Sequence, residues 1–279
     1  MALRNPIEAG PVRQARSGGE QVVRSDAFEW LARAGFGARG LIYTIVGILA
    51  IRLAIGSGGH AASQQGALRA LAAEPFGKVL LILVAVGLGG YSLWRLVRAA
   101  LGHGPEDSDS GLDRVAALGS GVVYAGLCAI AVEILVGAGG GSGNAHRTTA
   151  GVFGWPAGTW LVGIAGVVLI GIGLYQGYQG VSKDFLEDSK TEEMGPRVRR
   201  WIEWIGAFGH LARMVVYGLV GIFLIVAAIQ YDPGQAVGLD GALAKLAHAS
   251  YGPFLLAVVA AGLIAFGAYS LSDARYRRI

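Results

Sequence analysis

Hydrophobic residues in this 279-residue chain fall into six long runs and do not alternate with polar ones. The runs cover roughly 35–56, 76–98, 115–137, 158–181, 206–230 and 252–273. Each is close to the ~20 residues that carry a helix across about 30 Å of hydrocarbon. Residues 148–182 and 249–272 contain no charge at all. The pattern predicts an all-α integral membrane protein with six transmembrane helices. The first run carries Arg39 and Arg52, about 20 Å apart along a helix axis. Both are expected to act as helix-end anchors, snorkelling toward opposite interfaces.

The polar stretches between the runs differ in kind. Residues 1–29 hold Arg4, Arg13, Arg16 and Arg24 and no apolar core, so a disordered arm without a cleavable leader is expected. Residues 137–144 read GAGGGSGN, a flexible connection. Residues 183–204 are the most highly charged stretch, acidic first and basic afterwards. They read as a solvated loop with a short interfacial helix near Trp201 and Trp204.

The six runs form three copies of one helix pair. GFGARGLIY at 35–43 matches GHLARMVVY at 209–217, with a looser middle copy, SGVVY, at 120–124. Four residues past Tyr43, Tyr124 and Tyr217 come Gly47, Cys128 and Gly221. The even runs share Gly87, Tyr91 and Arg95, then Gly171, Tyr175 and Gln179, then Ala265, Tyr269 and Asp273. QGALRAL at 65–71 is echoed by DGALAKL at 240–246. The boundaries are 30–101, 113–182 and 205–275, one repeat each. Two crossings per repeat make all copies enter in the same sense. The axis relating them then runs along the membrane normal, as in parallel repeats, and a pseudo-threefold bundle is expected.

The motif ARAGFGARGLIY at 32–43, with QGALRAL at 65–71, resembles DUF1206, a bacterial, mainly actinobacterial family of tandem two-helix repeats. The resemblance covers nearly everything after residue 30 and is weakest in the middle copy, which has Ser120 in place of the arginine and no QGAL element. It implies a fold and a membrane location. It implies no reaction, because the family has no established activity.

Charge orients the bundle. Of 23 Lys and Arg residues, 18 fall on the side holding both termini. The positive-inside bias therefore predicts a plasma-membrane protein with cytoplasmic N- and C-termini. All six tryptophans fall near predicted helix ends, as interfacial belts favour. The single cysteine, Cys128, forms no intramolecular disulfide, and no zinc or iron–sulfur spacing occurs. The net charge of +4 reads as topology, so no nucleic-acid partner is expected.

Candidate chemistry is sparse. Arg39, Tyr43, Tyr91, Arg95, Tyr124, Tyr175, Gln179, Arg213, Tyr217, Tyr269 and Asp273 form a candidate polar cluster at the cytoplasmic end. Packing and interfacial hydrogen bonding account for such residues. A set repeated at one depth also suits a lipid phosphate. Helical spacing puts Gly40, Tyr43 and Gly47 on one stripe, so the odd-helix tyrosines should point inward with small residues beside them. Arg52 and Glu133 occupy equivalent repeat positions and form a candidate outer ion pair. His60, His146 and His248 lie one per outer loop but out of register, so no metal site is expected. Without a nucleophile, base or phosphate motif, the expectation is a non-enzymatic protein without cofactor. It binds lipid, including anionic headgroups, or a membrane protein partner. The alternative is a small transporter or channel using the bundle centre.

Overall fold

The computed structural model describes residues 26–57, 61–101, 111–137, 150–155 and 157–278. The expected arm up to residue 25, most of the glycine-rich connection, His60 and His146 lie outside them. Eight helices are numbered along the chain. They are α1 Asp26–Ala54, α2 Gln64–Ala73, α3 Gly77–Leu101, α4 Gly111–Leu135, α5 Gly158–Ser182, α6 Pro196–Gln230, α7 Leu239–Ala247 and α8 Gly252–Tyr276. Six of them, α1, α3, α4, α5, α6 and α8, are long and apolar enough to cross a membrane. A helix satisfies its own backbone, and lipid offers no water to do so. Pro196 and Pro253 stand only in the first turns of α6 and α8, where a missing N–H is harmless.

The six long helices follow one another around a ring in the order α4, α3, α1, α8, α6, α5. The contacts α3–α4, α5–α6 and α8–α1 join each repeat to the next. The contacts α1–α3 and α6–α8 hold repeats 1 and 3 together internally. The corresponding face between α4 and α5 is not packed, so the ring is open within repeat 2. The buried share of the apolar window falls accordingly, to 22% in both α4 and α5 against 61% in α1 and 50% in α3.

Glycines set the closest approaches. A methyl group at Gly40 would stand 2.8 Å from the Gly267 carbonyl oxygen, and one at Gly221 would stand 2.6 Å from that of Gly166. Backbone lies on backbone at α1–α8 and at α5–α6, which only small residues permit. The two QGAL-type segments are the short helices α2 and α7. They bury Leu68, Leu71 and Leu243 against the long helices. Ser63 caps α2 by accepting from the Gly66 N–H at 3.1 Å.

A turn absent from the sequence motifs recurs before each even transmembrane helix. Phe76, Ala157 and Tyr251 all adopt left-handed backbone, at φ 62°, 61° and 58°. Each precedes the first glycine of α3, α5 or α8. That glycine lies against a carbonyl of the preceding segment, where a side chain does not fit.

Three expectations need correction. The stretch around Trp201 and Trp204 is not a separate interfacial helix. It forms the first turns of α6, because nothing after Pro196 breaks the 35-residue helix. Five tryptophans are exposed, Trp30, Trp155, Trp160, Trp201 and Trp204, but Trp94 is buried under the aromatic cluster of α1 and α3. Arg52 and Glu133 are both exposed and form no ion pair. Equivalent positions in a threefold ring lie across the axis, and α3 stands between α1 and α4.

Candidate functional site

Arg39 does not snorkel. It is 7% exposed and points into the bundle. Its Nε donates to Ser270 Oγ at 2.9 Å, its Nη1 to Tyr91 Oη at 2.9 Å and its Nη2 to Asp273 Oδ2 at 3.0 Å. The guanidinium also lies 5.0–5.3 Å from the ring centres of Phe36, Tyr91 and Phe266. Three donors, one carboxylate and three aromatic faces replace the water an interface would have supplied. The pair ties α1 to α8, which are the first and last membrane helices.

Just past the end of α8, Arg277 pairs with Asp188 and, at 3.5 Å, with Asp273. Burial disfavours its charge, but the Asp273 and Asp188 carboxylates outweigh that and hold the guanidinium above its ordinary range. Backbone bonds fasten the same place. The Lys190 N–H donates to the Tyr276 carbonyl at 2.7 Å, and the Arg278 N–H to that of Asp188 at 2.9 Å. The loop after α5 is thus tied to the C-terminal end of α8. Arg33 Nη1 donates to the Ala274 carbonyl at 2.7 Å, so the start of α1 and the end of α8 lie side by side.

Arg213 is the repeat-equivalent of Arg39, and its surroundings differ in charge. Its guanidinium lies 4.3 Å from the Phe266 ring centre, 5.2 Å from that of Tyr217 and 5.5 Å from that of Tyr43. Nη2 donates to Tyr217 Oη at 2.7 Å. The Gln176 amide bridges α5 to α6: its oxygen accepts from Arg213 at 2.8 Å and its nitrogen donates to His210 Nδ1 at 2.9 Å. No carboxylate among the described residues pairs with Arg213, because the position equivalent to Asp273 is Gln179. Arg213 Nε and His210 Nε2 lack hydrogen-bond partners. Phe266 therefore has a guanidinium close to it from each of two repeats, one neutralised by Asp273 and one not.

Most of the sequence-derived cluster does meet at one end of the bundle. Tyr91 and Tyr124 touch edge to face at 4.6 Å, and Tyr43 does so with Phe266 at 4.8 Å. Tyr269 is buried beside Phe185 and His210. Arg95 Nε donates to Tyr91 Oη at 3.0 Å, and Arg95 and Arg98 lie over Trp94. Tyr175 and Gln179 are the exceptions. Tyr175 is 56% exposed, and Gln179 donates only to the Tyr175 hydroxyl, at 2.7 Å. Their helix has lost the neighbour that covers Tyr91 and Tyr269. Sequence reasoning missed Ser270 and Gln176, although each directly follows a repeat tyrosine, as Ser92 does. His248 is exposed, and no cluster of three metal-binding side chains occurs among the described residues.

These features define a helical multi-pass membrane protein built from three two-helix repeats around a cationic, aromatic end. Sequence comparison agrees with this class. The family model described as Domain of Unknown Function (DUF1206) matches three times, at residues 34–102, 115–183 and 208–277. The chain is also similar to the uncharacterized protein YxxB of Bacillus subtilis (strain 168), at 31% identity over 264 residues, covering 92% of this chain and 95% of that protein. The chain belongs to the DUF1206 family. No solved structure matches it.

Proposed function

We propose that this protein is a non-enzymatic component of the bacterial plasma membrane that binds lipid or a partner membrane protein through its bundle, with both termini in the cytoplasm. The observation that carries this is the Arg213 guanidinium, held by tyrosine, phenylalanine and glutamine without a carboxylate. A cation enclosed without an acid favours an anionic ligand, and the ligand native to this setting is a lipid headgroup on the basic side of the membrane. The excess of Lys and Arg on that side supports the orientation.

The test is lipid retention by the purified full chain, read by native mass spectrometry from nanodiscs of mixed phosphatidylcholine and phosphatidylglycerol. Phosphatidylglycerol should be retained above its share of the bilayer, and Arg213→Gln should remove the excess. Retention in proportion to the bilayer would sink the lipid reading.

A further inference from the structure

Repeat 1 shows what repeat 2 lacks. There, Gly87 of α3 meets the Ala34 carbonyl and the Ala38 methyl of α1, each 2.8 Å from where its own Cβ would stand. The repeat-equivalents in the middle copy are Gly171 for Gly87, Val115 for Ala34 and Gly119 for Ala38. A Cβ at Gly171 or at Gly119 would meet nothing within 4 Å, and Val115 is 66% exposed. Two helix faces built small for close packing thus stand uncovered, and the space between them is the α4–α5 cleft. Tyr175 is uncovered for the same reason.

The two helices expose Val122, Val123, Val167, Val168 and Leu174, an apolar surface suited to hydrocarbon. The site of Arg213 lies near both helices. Of the two, α5 bonds Arg213 through Gln176, and Tyr124 of α4 is within electrostatic range of the guanidinium. Arg213, Tyr124 and Tyr217 are half-buried. Arg39, on the packed side of the ring, is closed off and neutralised by Asp273.

We propose that the α4–α5 cleft is a binding site for an anionic glycerophospholipid, with an acyl chain between the two helices and the phosphate at Arg213. The apolar surface of the two helices selects a lipid over a dissolved anion. The charge of Arg213 selects an anionic headgroup over a zwitterionic one, whose own cation opposes it. The small residues leave room for the chain. The proposal rests on the lipid-binding reading above and adds the cleft as the place.

The full chain in phosphatidylcholine nanodiscs containing phosphatidylglycerol provides the test. A benzophenone amino acid replaces Tyr175 in the cleft or, as a control, Val86, which is 56% exposed on α3. The Tyr175 probe should label phosphatidylglycerol several-fold above its bilayer share, and the Val86 probe in proportion to it. R213Q should abolish the excess, and R213K should keep most of it. Gly171→Trp fills open space without touching Arg213 and should lower phosphatidylglycerol retention several-fold. Labelling at Tyr175 that follows bilayer composition, with Arg213-dependent retention intact, overturns the cleft and leaves the lipid reading standing. Absence of any retention overturns both. Thermal protection of the protein by inorganic phosphate in pure phosphatidylcholine, equal to that by phosphatidylglycerol, also overturns the proposal. So does rapid disulfide formation between Gly119→Cys and Gly171→Cys in a Cys128→Ala background, because repeat 2 would then close as repeat 1 does.

Discussion

Arg39 and Arg213 share one position in the repeat and differ in what lies where a carboxylate is needed. Arg39 has Asp273 at 3.0 Å, and Arg213 has the neutral Gln176 amide instead. Removing one member of a buried pair strands the other charge and costs about 3–5 kcal/mol, whereas removing both costs much less. Asp273→Asn, which leaves the buried Arg39 without an acid while Arg277 keeps Asp188, should therefore destabilise the bundle more than Asp273→Asn with Arg39→Gln, measured by thermal unfolding in detergent. Additive losses across the double-mutant cycle would show that the two side chains do not act as a pair. Glycine positions divide just as sharply. Leucine at Gly47 meets Ile264 and the Ala260 carbonyl, and leucine at Gly221 meets the Gly166 carbonyl, with no room to move. A Cβ at Gly126 has nothing within 4 Å. Gly47→Leu and Gly221→Leu should each lower the melting temperature by several degrees, and Gly126→Leu should leave it nearly unchanged.

At the scale of elements, the recurring device is the turn before each even helix. Left-handed backbone costs a non-glycine residue about 1–2 kcal/mol, and Phe76, Ala157 and Tyr251 all bear it. Each turns the chain from the preceding connecting segment into the next long helix over one residue. Ala157 is exposed, so Ala157→Gly removes strain without removing a packed side chain. It should raise stability by about 1 kcal/mol, offset in part by the greater freedom of glycine in the unfolded chain. A decrease would mean that the alanine methyl makes a contact that outweighs the backbone strain.

At the scale of the whole molecule, the ring is closed everywhere except between α4 and α5. The middle repeat is also the one whose motifs depart furthest, with Ser120 for the arginine and Cys128 for the glycine. It joins repeat 1 through α3–α4 and repeat 3 through α5–α6 while its own two helices stand apart. Six crossings put the two termini on one side, and the 18-to-5 distribution of Lys and Arg is the ground on which that side is proposed to be cytoplasmic. Reporter fusions at Ile279 and within residues 139–143 should therefore report opposite sides of the membrane. Finding both on the same side would overturn the crossing number between them.

The six crossings, the three repeats and the inward tyrosine stripe were legible in the chain itself. Hydrophobic run length and repeat register are local quantities, and lipid forces each run into a helix whatever its neighbours. The fate of Arg39 was not legible. Snorkelling and burial need the same sequence, and only the arrival of Asp273, Ser270 and Tyr91 from other helices makes burial cheaper. The same holds for Arg52 and Glu133: equal repeat positions announce kinship, but ring order decides contact, and α3 separates them. The opening in repeat 2 is wholly tertiary. Gly119 and Gly171 are small residues suited to a packed face, and whether two such faces meet depends on where α3 and α6 hold α4 and α5.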